Sequence, residues 1–254
     1  MSAVASPFDL SGRRALVTGA NTGLGQAIAV ALAEAGAGIV AVGRSAMDET
    51  GDLVRRAGAA FTEVRADLAS LEPVARIVES AAAGGRIDIL VNNAGIIRRA
   101  DAIDFTEKDW DEVMNVNLKS AFFLTQAVAR GMLADGAGGK VINIASLLSF
   151  QGGIRIPSYT ASKSGLAGLT RLLACEWAGR GINVNAIAPG YFVTNNTEAL
   201  RADPERNAAI LARIPAGKWG DPADLGGAAV FLASRASDYV HDIVLPVDGG
   251  WLAR

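Results

Sequence analysis

The chain has 254 residues, half of them apolar and a fifth charged, with 24 Lys plus Arg against 26 Asp plus Glu and a formal charge of −2. That balance leaves no basic footprint for nucleic acid and no polybasic patch for a membrane surface. One histidine, His241, and one cysteine, Cys175, exclude a poly-histidine metal site, a four-cysteine site and an internal disulfide. No metal is expected. Cys175 reads as a small buried residue on a helix, in a reducing compartment. Met1–Leu10 has neither a basic start nor an apolar stretch of the secretory type, and no run approaches the ~18 apolar residues of a spanning helix. A soluble, cytoplasmic protein is expected.

Short apolar runs alternate with longer helical stretches. Strands are expected at Arg14–Thr18, Gly38–Gly43, Phe61–Ala66, Ile87–Asn92, Lys140–Ala145, Asn183–Ala188 and Ile243–Val247. The runs are apolar throughout rather than alternating, as in parallel strands covered on both faces. Helices fill the gaps, so the pattern predicts one doubly wound, Rossmann-type α/β domain over residues 1–254, with about seven parallel strands and helices on both faces. No linker, repeat or charge block divides it. The rhythm breaks at 191–219, a polar stretch rich in Asn, Arg and Pro beyond the end of a strand. Open α/β sheets bind ligands there, so a substrate lid is expected, an ordinary surface loop with a helix being the plainer alternative.

Between the first strand and an alanine-rich helix lies Thr18-Gly19-Ala20-Asn21-Thr22-Gly23-Leu24-Gly25. Glycine lets the backbone turn sharply and approach a pyrophosphate, while the helix N-terminus offers free N–H groups and a positive dipole end. This T-G-x-x-x-G-x-G, followed by Asn92-Asn93-Ala94-Gly95 after the fourth strand, resembles the short-chain dehydrogenase/reductase family. The likeness runs from about Leu10 to Gly250. It implies an NAD(P) site made by Gly19, Asn21, Thr22, Gly23, Leu24, Asn93, Ala94 and Gly95. Asp67, with Leu68, matches the acid beside the adenine amino group. Pro189, Gly190 and Thr194 match the segment that holds the nicotinamide carboxamide. The second strand ends Gly43-Arg44-Ser45 without the acid that favours NAD. Arg44 can receive a 2′-phosphate and favours NADP, or lie flat on adenine; close relatives within the family use NAD.

Tyr159-Thr160-Ala161-Ser162-Lys163 is a Y-x-x-x-K, and Pro157 suits the first position of its helix. Tyr159 and Lys163 then share a helix face, where phenol and ammonium can act on one ligand. A carbonyl being reduced needs a proton as hydride arrives. A phenol with a pKa of about 10 needs a drop of about three units, about 4 kcal/mol, to serve as a base near neutrality. One cation at about 4 Å in an effective dielectric near 20 supplies about that much, which makes Lys163 the expected perturber. The resemblance adds that Lys163 holds the nicotinamide ribose. Ser146, thirteen residues before Tyr159, can donate to the oxyanion; Ser149 is the off-spacing alternative. Asn117 matches the family residue that bends a helix and anchors a relay water, with Asn115 as its alternative.

Asn92–Arg99, Ser146–Lys163, Asn183–Asn196 and Val247–Arg254 are similar to the sugar-acid dehydrogenases of the family. A guanidinium can clamp a carboxylate, so at least one of Arg98, Arg99 and Arg155 is expected to contact substrate, with Gln151, Asn195 and Asn196 on hydroxyls. A reductase of another carbonyl, such as an acyl thioester, and a non-catalytic NAD(P) sensor are the alternatives. Asp242 stands where the family carries glycine as a rule. His241 reads as a turn residue, and Trp110, Trp177 and Trp251 as packing, with Trp219 beside the lid the possible exception. Alanine- and glycine-rich helices at 121–130 and 158–178 permit close contact, and the resemblance implies a homotetramer.

Overall fold

Seven parallel strands form one sheet in the order β3-β2-β1-β4-β5-β6-β7. The structure is a computed structural model and describes residues 6–254; the expected lack of a leader at Met1–Leu10 therefore falls partly outside the described residues. The chain runs β1 (Arg14–Thr18), α1 (Gly23–Glu34), β2 (Gly38–Gly43), α2 (Asp48–Arg56), β3 (Phe61–Arg65), α3 (Val74–Ala82) and β4 (Ile89–Asn92). It continues through α4 (Glu107–Met114), α5 (Ser120–Ala134), β5 (Gly139–Ile144), α6 (Pro157–Trp177) and β6 (Ile182–Pro189). The stretch 191–219 carries α7 (Glu198–Ala202) and α8 (Pro204–Arg213), and α9 (Gly226–Ala233) and β7 (Val244–Val247) close the fold.

Period-two geometry divides each central strand between two cores. Ala15 and Val17 of β1 join Ile39 and Ala41 of β2 on the face covered by Ile28 and Leu32 of α1 and Leu232 of α9. Leu16, Val40 and Val42 point the other way, toward Ile77 of α3, Leu124 and Val128 of α5 and Leu173 of α6. Apolar residues at every position are thus what a doubly covered strand requires. The two edge strands depart from that expectation. β3 buries only Val64 fully and β7 none of its residues, because each has a neighbour on one side only.

Two other expectations are corrected. Cys175 is exposed: α6 turns Leu173 and Ala174 inward, and the next residue points out. Trp110 is 40 % exposed on α4 rather than buried, whereas Trp251 is buried at 4 %. His241 lies in the turn before β7, beside the Asn183 carboxamide. Its neighbour Asp242 sits at φ +58°, the left-handed region that favours glycine, and pairs with Arg171 of α6 at 3.2 Å. That backbone conformation explains the family's glycine there. Among the described residues no helix is long and apolar enough to cross a membrane.

Candidate active site

β1 is flanked by β2 on one side and β4 on the other, so the connections leave its carboxyl end in opposite directions and open a crevice. The crevice is a cleft of about 880 Å³. Every residue expected at the cofactor lines it: Gly19 and Asn21–Leu24 after β1, Arg44 after β2, Asp67 and Leu68 after β3, Asn93–Gly95 after β4, and Pro189, Gly190 and Thr194 after β6. Ser146, Tyr159 and Lys163 form its wall, and Arg98, Asn195 and Asn196 lie on it too.

The floor is knitted where the strands end. The Thr18 hydroxyl accepts from the backbone N–H of Asn93 and of Ala94, both at 3.0 Å. The Asn93 amide returns to the Thr18 carbonyl at 2.9 Å and the Gly19 carbonyl at 3.1 Å. These bonds bring the β1 and β4 ends so close that a Cβ on Gly25 would lie far inside contact distance of the Gly19 carbonyl oxygen. Gly19 and Gly23 take φ of +65° and +59°. A pyrophosphate fits such a cradle: the glycines leave no side chain in the way, and α1 points its N-terminus at it.

Asn117 lies on a π-helical turn, Asn115–Lys119, that joins α4 to α5. One extra residue in the turn swings its side chain inward, as the expected bend requires. Its Oδ1 accepts from the Ile96 N–H at 2.8 Å and its Nδ2 donates to the Ile96 carbonyl at 3.0 Å, so the chain beyond Gly95 is held by both backbone groups. Asn115 makes no such clamp.

Pro157 opens α6 and places Tyr159 in the first turn, one turn before Lys163. The Lys163 ammonium stands 5.7 Å from the Tyr159 ring centroid and donates to the Ile144 carbonyl at 2.6 Å. Burial pulls that ammonium down to about 8. Burial also pushes the Tyr159 phenol above its ordinary value, with Ser146 and then Arg99 pulling it back. The expected lowering by Lys163 is therefore not what the protein groups alone produce. Desolvation raises the phenol, and Ser146 and Arg99 supply the downward pull. Ser149, the alternative to Ser146, donates to the Lys163 carbonyl at 2.8 Å and ties the Ser146 loop to α6.

The substrate candidates separate. Arg98 is held by Glu112 at 2.7 Å, and Arg155 by Asp101 at 3.0 Å outside the cleft lining. Arg155 takes φ +64°, and its carbonyl accepts from Ala100 N–H. Gln151 also stands outside the lining, its carboxamide oxygen occupied by Trp251 and Arg213. Arg99 is exposed and, like Arg155, outside the cleft lining; its Nη2 reaches the Asn196 carbonyl at 3.5 Å, and its charge favours the Tyr159 phenolate.

Sequence reasoning passed over Thr18, whose hydroxyl organises the floor, although it opens the glycine motif. It also passed over Ser45, which accepts from Asn21 Nδ2 at 3.0 Å beside Arg44, and Thr197, whose hydroxyl donates to the Phe192 carbonyl at 2.6 Å. Ser45 follows Arg44 directly, which was signal enough. Thr197 had none, since its role comes from the turn it caps.

A sheet in this order, a glycine cradle at its switch point and a Tyr–Lys pair beside a serine define a dinucleotide-linked oxidoreductase. Residues 19–252 match the family described as enoyl-(acyl carrier protein) reductase. The chain belongs to the short-chain dehydrogenase/reductase family. It is 60 % identical to the 2-dehydro-3-deoxy-D-gluconate 5-dehydrogenase of Dickeya dadantii, over 99 % of this chain and all of that one. Among solved structures, one from Agrobacterium tumefaciens with bound NADP, described as a 2-deoxy-D-gluconate 3-dehydrogenase, is 65 % identical with a TM-score of 0.94, covering 98 % of this chain and all of that one. One from Beutenbergia cavernae, described as an NAD(P)-dependent gluconate 5-dehydrogenase with bound NADP, is 54 % identical with a TM-score of 0.94 over the same shares.

Proposed function

We propose that the protein moves a hydride between NADP and a hydroxyl-bearing carbon of a six-carbon sugar acid, with 2-dehydro-3-deoxy-D-gluconate as substrate and its C5 as the reacting carbon. The observation that carries the reading is the 60 % identity along the full length of an enzyme of that name. A nicotinamide held at Pro189, Gly190 and Thr194 would supply the hydride acceptor or donor. The residues do the rest. Tyr159 takes the hydroxyl proton during oxidation and returns it during reduction, and Ser146 donates to the same oxygen. Lys163 orients the ribose, and its charge, added to that of the oxidised nicotinamide, offsets the burial that raises the phenol. Asn117 acts by holding Ile96. Residues 191–219 close over the substrate and exclude water.

Arg99 supplies the carboxylate contact in this reading. Arg99→Ala is expected to raise the substrate KM about 10- to 100-fold with a smaller change in kcat, as loss of a charge-assisted contact made in both ground and transition states requires. Arg98→Ala and Arg155→Ala, whose guanidiniums already have carboxylate partners, are the comparison; a KM unchanged in all three removes the clamp.

Arg44 with Ser45 and Asn21 receives the 2′-phosphate. Arg44→Ala is expected to lower the NADP-over-NAD preference in kcat/KM by at least about tenfold, mostly through the NADP term. An unchanged preference means that Arg44 lies on adenine. The reading as a whole is tested by assaying 2-dehydro-3-deoxy-D-gluconate, its 5-keto partner and gluconate with both cofactors. Gluconate 5-dehydrogenase is the second reading, favoured by the Beutenbergia likeness. Turnover of gluconate alone selects it, and turnover of none sinks both. The proposal includes a cytoplasmic homotetramer.

A further inference from the structure

Three segments far apart in the chain meet beside the lid. The ring of Trp251, 4 % exposed, lies under the Arg213 guanidinium at 4.0 Å. Gln151 Oε1 accepts from Trp251 Nε1 at 3.3 Å and from Arg213 Nη2 at 3.4 Å. Arg254 donates to the carbonyls of Ala212 and Arg213, at the end of α8, where helical carbonyls lack partners of their own. Beneath them Leu147, Ile214 and Trp251 form a buried cluster on which Tyr191 packs.

The positions of these contacts matter. Leu147 follows Ser146, Tyr191 follows Pro189-Gly190, and Ile214 ends α8. One cluster therefore touches the loop of the oxyanion donor, the nicotinamide segment and the lid. Gln151, Arg213, Trp251 and Arg254 do not line the cleft, so any effect on the reaction passes through other residues. No residue of α7 or α8 is fully buried; α8 is held by Ile210, which packs partly buried on the same cluster, by the Trp219–Asn207 hydrogen bond at 2.7 Å, and by the contacts of Arg213 and Arg254.

We propose that Gln151, Arg213, Trp251 and Arg254 are positioning residues, a strut that holds α8 against the Ser146 loop so that the lid meets the substrate in one register. The proposal rests on residues 191–219 covering a sugar acid. The test uses the full-length enzyme with Arg213→Met, Arg213→Lys and Arg254→Ala, read by amide hydrogen exchange over 198–213, by KM and kcat on 2-dehydro-3-deoxy-D-gluconate, and by the NADP dissociation constant.

Arg213→Met is expected to raise both the exchange rates and KM about fivefold, from the lost stacking and hydrogen bond, with NADP affinity unchanged. Arg213→Lys restores part of both, and Arg254→Ala moves both in the same direction. Should Arg213→Met fail to fold, Arg254→Ala decides alone. Unchanged exchange overturns the strut, and so does a raised KM with unchanged exchange, which would make Arg213 a direct substrate contact. Faster exchange with unchanged KM reduces the cluster to packing and overturns the positioning role. If the parent turns over no sugar acid, the substrate reading fails while exchange still decides whether the strut holds the lid.

Discussion

Tyr159→Phe is expected to lower kcat by about 10³-fold or more while leaving the NADP dissociation constant within about threefold of the parent. The change removes one oxygen and keeps the ring. The Lys163 ammonium at 5.7 Å from that ring and its bond to the Ile144 carbonyl are retained, so the cofactor side of the cleft has no reason to move. What is lost is the group that, in the proposed reaction, exchanges a proton with the substrate oxygen. Positioned acid–base catalysis contributes about 10² to 10⁴ in rate. The upper half of that range applies, because Ser146 can donate a hydrogen bond but has no means of carrying the proton away. About 10³ in rate is about 4 kcal/mol of barrier. Single-turnover kinetics with saturating NADP, alongside binding followed by protein fluorescence, separates chemistry from affinity. Turnover at the parental rate in a folded, cofactor-loaded variant would falsify the role given to Tyr159.

The second large effect concerns a residue with no chemistry of its own. Gly25→Ala is expected to weaken NADP binding by at least about 100-fold and to lower Tm by several degrees. Its new methyl would run into the Gly19 carbonyl oxygen and the Asn93 amide. Neither neighbour can swing away, since Asn93 Nδ2 is bonded to the Thr18 and Gly19 carbonyls at 2.9 and 3.1 Å. The first turn of α1 must therefore retreat, and with it the N–H groups aimed at the pyrophosphate. Overpacking of this kind costs about 1–3 kcal/mol, and in a chain of this size each kcal/mol shifts Tm by about 2–4 °C. Gly131→Ala in α5 is the control: a Cβ there meets nothing within 4 Å, so the helix gains about 0.4–1 kcal/mol. If Gly25→Ala binds NADP as the parent does, the tight floor is not what shapes the site.

Most of the fold was legible because strands and helices declare themselves locally. RALVT and GIVAVG coincide with β1 and β2 as observed, and the other five strands were found within two residues at each end. The edge strands were misjudged, since an apolar run does not record how many neighbours it has. Cys175 was misplaced for a related reason: on a helix rich in alanine and glycine, one residue's rotation decides burial, and periodicity in such a stretch is weak. The glycines of the cleft floor were legible because glycine has few substitutes where φ is positive or a backbone must come close.

The substrate side was harder. Arg98, Arg99 and Arg155 are the same residue type in similar sequence contexts, and only their partners tell them apart. Arg98 faces Glu112 and Arg155 faces Asp101, so their charges are already taken up, while Arg99 has the Asn196 carbonyl as its neighbour. Gln151 was expected on a hydroxyl and instead joins Trp251, 100 residues away in the chain, and Arg213, 62 residues away, which no spacing rule links.

By itself the sequence determined the strand and helix order, the glycine cradle and the Tyr–Lys helix face, because each rests on contacts within a few residues of chain. The tertiary structure alone decided which arginines have carboxylate partners among the described residues, that burial raises the Tyr159 phenol, and that residues 251–254 reach α8. Those outcomes depend on distances and desolvation between segments that meet only when the sheet has formed.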